Sequence, residues 1–234
     1  MNLSSLIDHA ILHPTQTDDD VRRGCQLADR LGLFSVCVKP YAVPLAAALL
    51  RQSQTKVGTV IGFPHGSPPS DIKLAESLWA LERGAVELDM VVNIGQVLAR
   101  QWSDVEREIQ VIAEAAHVHA AIVKVIFETD LITQDELKRQ LCHVCEQAGA
   151  DFVKTSTGFG FVKQPHGHYD YVGATIHDVQ LMRAACSPRV GVKASGGVRD
   201  FAQAMALVEA GANRLGTSAS EAIIQGSARD ASGY

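Results

Sequence analysis

Lysines set inside apolar runs are the residues of this chain whose placement calls for a chemical reason. The stretch DFVKTSTGFG, Asp151 to Gly160, begins as a strand, with apolar Phe152 and Val153 and β-branched Thr155 and Thr157. Lys154 stands in its middle. A buried ammonium must find a partner or lose its proton. A lysine that has lost its proton is an amine nucleophile, able to form an imine with a carbonyl carbon. On this stretch alone, a lysine at a strand end with its head in water fits equally well. The chain has eight lysines, and Lys39, Lys124, Lys154 and Lys193 all fall in or at the ends of apolar strands, where lysine is disfavoured.

One unit recurs around these residues. A helical pattern ends in glycine, at Gly32, Gly84, Gly149 and Gly211, and a short apolar run follows. Glycine suits the left-handed position past a helix end, and continuous apolar runs suit strands buried on both faces. Strands are predicted near 6–12, 33–38, 56–62, 86–92, 120–127, 151–156, 190–194 and 213–217. Helices are predicted near 18–31, 42–53, 71–83, 104–116, 134–148, 174–186, 200–210 and 219–225. Ser103 with Glu106 and Thr133 with Glu136 read as capping boxes. Eight alternating units point to α/β architecture as a single-domain (β/α)8 TIM barrel over 1–225, with a flexible C-terminal tail over 226–234. A doubly wound open sheet would want a GxGxxG turn after its first strand, and none is present.

In such a barrel, catalytic groups lie at the C-terminal ends of the strands. Strand by strand, that places Asp8, Cys37 and Lys39, the GFPHG run, Asp89, Lys124 with Glu128 following, Lys154, Lys193, and the GTS run at one mouth. Lys154 and Lys193 fall on neighbouring strands, and two ammonium groups that close depress one proton affinity by repulsion. Asp89 supplies a carboxylate to move protons. The SGG turn, Ser195 to Gly197, and the GTS turn, Gly216 to Ser218, read as an anion site, with helix N-termini aimed at it.

Composition narrows the classes. The 234 residues carry a net charge of −5 and 47% hydrophobic residues, which suits a packed core and argues against a nucleic-acid partner. With no apolar run of membrane-spanning length and no leader-like start, the expectation is a soluble cytoplasmic protein. Five cysteines, an odd count, argue against a disulfide framework, and the lone CxxC of Cys142 and Cys145 reads as structural.

Taken together, DFVKTSTGF, VKASGGVR, ELDMVVNIG, GFPHG, KVIFET and IDHAIL resemble the deoxyribose-phosphate aldolase family over about residues 6 to 224. The resemblance implies a class I lyase on a (β/α)8 barrel, independent of metal or other cofactor. It implies reversible cleavage of 2-deoxyribose 5-phosphate to glyceraldehyde 3-phosphate and acetaldehyde, in deoxyribonucleotide and deoxyribose phosphate catabolism. By motif, Lys154 corresponds to the Schiff-base lysine, Lys193 to the lysine that perturbs it and Asp89 to its acid/base partner, with Lys124 and Asp8 completing the catalytic set. Thr157, Gly158, Gly196, Gly197, Gly216, Ser218 and Cys37 correspond to the substrate-binding positions. Barrels of this class often pair, so a homodimer is a candidate assembly. The chain departs from the family pattern at Ala10, His13 and Lys39 and in a long loop over 160–172, which reads as a lid. Tyr234 is expected to fold back over the lysine pair and relay a proton at the substrate carbon. Two alternatives stay open: a different class I aldolase or transaldolase-like barrel acting on another, or non-phosphorylated, aldehyde, and a silent barrel that only binds a sugar phosphate.

Overall fold

Each helix–glycine–strand unit becomes one stave of a barrel in the computed structural model, which describes residues 2–226. The strands, in chain order, are β1 Ile7–Ile11, β2 Ser35–Val38, β3 Lys56–Ile61, β4 Glu87–Val91, β5 Ile122–Ile126, β6 Phe152–Lys154, β7 Val162–Lys163, β8 Tyr169–Asp170, β9 Gly191–Ser195 and β10 Arg214–Thr217. Eight of them close a parallel barrel in the order β1-β10-β9-β6-β5-β4-β3-β2, while β7 and β8 form a separate antiparallel hairpin. The helices are α1 Asp18–Leu31, α2 Val43–Leu49, α3 Ser70–Leu81, α4 Ile94–Leu98, α5 Trp102–Val118, α6 Asp135–Gln147, α7 Ile176–Ala185, α8 Phe201–Glu209 and α9 Ser220–Ile224.

The core lies between barrel and helices. Helix α1 buries Val21, Gly24, Cys25 and Ala28, a stripe at three- and four-residue spacing, and keeps its charges outside. Gly32 ends it at φ 60°, and Gly84, Gly149 and Gly211 end their units at φ 103°, 84° and 115°. Strand residues facing the helices, such as Leu88, Met90, Val123, Val125 and Val192, are fully buried. All five cysteines are free and buried.

The structure corrects three local expectations. Helices α5 and α6 begin after Gln101 and Gln134, so neither Ser103 nor Thr133 sits at an N-cap. The capping-box contact instead opens α1, where the Thr17 backbone N–H donates to Asp20 at 2.7 Å. Helix α4, started by an Asn93 side chain that accepts from the Gln96 N–H, lies in a stretch read as loop. The long 160–172 loop contains the β7–β8 hairpin, and beyond it the N–H groups of Val172 and Gly173 donate to the Asp130 carboxylate at 2.6 and 2.9 Å.

Candidate active site

Alternation along each strand sends every second side chain into the barrel. That periodicity pairs Glu87 with Asp89 on β4 and Arg214 with Gly216 on β10, and it points Asp8, Lys124, Lys154 and Lys193 to the same interior. Register sets the neighbours: Asp89 pairs with Lys124, and Lys154 with Lys193. Arg214 in turn pairs with Lys193.

The side chains meet on Asp89. Its Oδ2 accepts from Lys154 at 2.6 Å and from Lys193 at 2.7 Å, and its Oδ1 accepts from Lys124 at 2.9 Å. Lys193 also donates to Asp8 Oδ2 at 2.5 Å. Below this layer, Lys124 donates to Glu87 at 2.7 Å, and Arg214 bridges Asp8 Oδ1 at 2.7 Å to Glu87 at 3.2 Å. Lys154 is 3% exposed, Lys124 and Lys193 1%, and Asp8 and Asp89 0%.

Burial of charge this deep is sustained because each carboxylate has at least two cationic partners. Burial opposes the charged form of Asp8, but Lys193, Lys124 and Arg214 outweigh it and hold the carboxyl below its usual range. Asp89 is held well below that range too, against burial, by Lys124, Lys154 and Lys193. Lys193 and Lys124 are equally buried, yet their carboxylates keep their proton affinities above normal. Lys154 alone of the three lysines goes the other way. Burial lowers its proton affinity, Asp89 opposes this, and repulsion from Lys193 adds to the lowering. Like-charge repulsion was the sequence-level reason for a depressed lysine; in the structure desolvation is the larger cause.

Cys37 lies on the same interior face, and burial pushes its thiol up to about 11, so it stays protonated at neutral pH. Lys39 is turned away: its Nζ donates to the backbone carbonyls of His13 and Gln16 at 3.2 and 2.7 Å, so it anchors a loop outside the cluster. The Thr157 hydroxyl donates to the Glu128 carboxylate. Gly158, Gly196 and Gly197 adopt φ of 83°, 90° and 73°, and the turns after β6 and β9 come together there: a Cβ on Gly158 would lie 3.8 Å from Gly196 Cα. Gly216 carries a packing constraint of its own. A Cβ there would lie 2.8 Å from the Ser195 Cβ and 3.1 Å from Lys193 Cε, so the glycine gives the lysine its passage. Ser218 follows β10 in the turn before α9. Asp200 caps α8, accepting from the Gln203 N–H at 2.8 Å. Tyr234 lies outside the described residues.

Three ionisable residues carried no role at the sequence level. Glu87 and Arg214 were legible by alternation from Asp89 and Gly216. Glu128 was placed after Lys124 at the same mouth, but its burial was not legible: it is 1% exposed with φ 59°, a left-handed conformation that strand patterning does not announce. Burial raises its carboxyl to about 7, against the pull of Thr157. Over the mouth, Phe159 packs against Phe63 with ring centroids 5.5 Å apart and against His13 at 6.4 Å. A surface cleft of about 260 Å³ lined by Arg100, Trp102, Glu136 and His143 is built from the outer helices and shares no residue with this cluster.

Residues 3–226 match the DeoC/LacD family aldolase model. The chain belongs to the DeoC/LacD aldolase family. It is 46% identical to a deoxyribose-phosphate aldolase of Thermococcus gammatolerans, over 97% of this chain and 96% of that one. A protein of the same name from Halalkalibacterium halodurans is 45% identical, over 96% of each chain. Among solved structures, a putative deoxyribose-phosphate aldolase from Coccidioides immitis superposes with a TM-score of 0.88 at 36% identity, covering 96% of this chain and 85% of that one. A tetrameric deoxyribose phosphate aldolase from Aeropyrum pernix gives 0.85 at 33% identity, covering 95% and 89%. This aldolase therefore shares the barrel and nearly its whole length with proteins named deoxyribose-phosphate aldolase. Among its described residues no helix is long and apolar enough to cross a membrane.

Proposed function

We propose that the chain is a 2-deoxy-D-ribose-5-phosphate aldolase and that Lys154 is its Schiff-base lysine. The observation that carries this is the asymmetry of the lysines on Asp89: Lys154 and Lys193 share one oxygen at 2.6 and 2.7 Å, and only Lys154 has its proton affinity lowered.

The neutral Lys154 amine adds to the aldehyde carbon of the open-chain sugar phosphate, and loss of water with uptake of one proton, returned at the final hydrolysis, leaves an iminium. Removal of the C3 hydroxyl proton breaks the C2–C3 bond. The electron pair enters the iminium, giving an enamine on Lys154 and free glyceraldehyde 3-phosphate. Protonation at C2 and addition of water release acetaldehyde and restore the amine. Asp89, the acceptor of the Lys154 proton in the structure, is the group we assign to proton transfer, directly or through a water. Lys124 and Lys193 hold it charged and in place, and Asp8 anchors Lys193. The turns at Gly158, Gly196, Gly197 and Ser218 are assigned to the phosphate, with Thr157 beside them. Cys37 and Gly216 shape the wall next to the lysines. Tyr234 is proposed as the proton relay at C2, with Tyr234→Phe expected to lower turnover severalfold at unchanged thermal stability. For the assembly we propose a homodimer, which light scattering would test.

Borohydride reduction in the presence of acetaldehyde is expected to fix a two-carbon adduct on Lys154, located by peptide mass mapping. Lys154→Ala is expected to abolish the adduct and the cleavage of 2-deoxyribose 5-phosphate while the fold is kept, since Asp89 retains Lys124 and Lys193. An adduct on another lysine, or cleavage retained in the variant, would overturn the assignment.

A further inference from the structure

Beneath the lysine layer lies a second charged layer, made by Arg214 and Glu87. Arg214 is 5% exposed and its guanidinium carbon lies 3.4 Å from the centroid of the Phe34 ring and 5.4 Å from that of Phe152. Its polar contacts run upward and sideways, to Asp8 at 2.7 Å and Glu87 at 3.2 Å. Glu87, 3% exposed, joins Arg214 to Lys124.

Counting this layer changes the electrostatics of the whole interior. Among the described residues the barrel interior holds four basic side chains, Lys124, Lys154, Lys193 and Arg214, in one ion-paired network with three carboxylates, Asp8, Glu87 and Asp89. With every group charged the sum is 4 − 3 = +1. In a buried cluster one cation too many is relieved by releasing a proton from the lysine with the fewest carboxylates. Lys124 contacts Asp8, Glu87 and Asp89, and Lys193 contacts Asp8 and Asp89. Arg214 contacts Asp8 and Glu87 and cannot deprotonate. Lys154 pairs with Asp89 alone.

We infer that Arg214 and Glu87 are positioning residues that set the charge balance of the barrel interior and so decide that Lys154 is the amine left without a proton. The inference rests on Lys154 being the imine-forming lysine. The charges that face Lys154 are Asp89 from β4, Lys193 from β9, Lys124 from β5 and Glu128 from the turn after β5, with the Cys37 thiol from β2. Arg214 acts on it through the cluster. β9 lies between β10 and β6, so Arg214 and Lys154 stand two strand spacings apart, roughly 10 Å. At an effective dielectric near 20, one charge at that distance moves a titration by about one pH unit.

The test is the pH midpoint of imine formation with acetaldehyde, followed by borohydride trapping on Lys154. Arg214→Met removes a positive charge, so the midpoint is expected to rise by about one unit. Glu87→Gln removes a negative charge at constant volume and is expected to lower it by a similar amount. The double variant returns it close to wild type. Arg214→Lys keeps the charge but loses the fork, and is expected to hold the midpoint even where turnover falls. A merely structural role would give shifts of one sign or none. Should Arg214→Met fail to fold, Glu87→Gln and Arg214→Lys carry the test. Midpoints that stay at the wild-type value in both charge-removing variants, or that move in the same direction, would overturn the inference. A wild-type adduct located elsewhere than on Lys154 would instead sink the functional assignment, so the two failures are distinguishable.

Discussion

At the scale of single residues, the site is a matter of which partner each charge can reach. Lys193→Leu removes a like charge from beside Lys154 and a counterion from Asp8 and Asp89. It is expected to slow imine formation at neutral pH, with partial recovery at high pH, because Lys154 then keeps its proton longer. Denaturant titration should show a cost of about 3 kcal/mol, since two buried carboxylates lose a partner. A pH–rate profile of unchanged shape would remove Lys193 from the chemistry. Glu128 gives an independent handle with the opposite sign. Its folded carboxyl titrates near 7, above the unfolded value, so the folded state binds the extra proton between roughly pH 4 and 7 and stability falls as pH rises through that window. Glu128→Gln is therefore expected to be neutral at pH 4.5 and stabilising by roughly 3 kcal/mol at pH 8, read as a pH-dependent difference in melting temperature. An equal effect at both values would show that the carboxyl is not held protonated. Lys154, Lys193, Lys124, Asp89 and Asp8 were legible in the sequence because a charge inside an apolar run is anomalous by itself. Glu128 sits past its strand in a turn, where a glutamate is ordinary, and only the folded chain buries it against Thr157.

Whole elements carry the next level. Continuous apolar runs and helix-ending glycines were enough to place all eight barrel strands within about two residues, because parallel strands covered on both faces carry apolar residues at consecutive positions. Helix starts were less legible, since Gln101 and Gln134 stand where no side-chain signal marks a cap. The capping box of α1 is testable: Thr17→Ala is expected to cost about 1 kcal/mol of stability with kinetics unchanged. The hairpin of β7 and β8 was hidden because its two-residue strands carry no periodicity. Phe161 and Tyr171 stack edge to face across its base at 5.2 Å, and Gly160 leaves room for Glu128, whose carboxyl carbon a Cβ there would approach to 2.5 Å. Replacing residues 162–170 by a short turn is expected to change the ratio of kcat/KM for phosphorylated and unphosphorylated aldehydes more than it changes melting temperature. An unchanged ratio would count against any part for the hairpin in substrate choice.

For the whole molecule, acid is the informative perturbation. Asp8 and Asp89 have folded proton affinities below their unfolded ones, so the stability they contribute is complete above about pH 5 and is lost as pH falls through 4 and below. Denaturant titrations at pH 6 and pH 3 should differ by several kcal/mol, and Asp8→Asn should reduce that difference, as it removes one of the two buried carboxylates whose proton affinity the cluster lowers. A slope unchanged by the substitution would place the acid sensitivity outside the barrel interior. The closing seam between β1 and β10 has a consequence for how the chain is made. Asp8 precedes its partners Lys193 and Arg214 in the chain by 185 and 206 residues. A nascent chain of seven staves thus holds a carboxylate whose counterions do not all exist yet, beside open edges with unpaired backbone groups. Burial of the early staves is held off until the final stave arrives, and ribosome-bound chains ending before residue 214 should remain protease-sensitive, whereas chains with β10 and α9 exposed beyond the ribosome should acquire protection in one step.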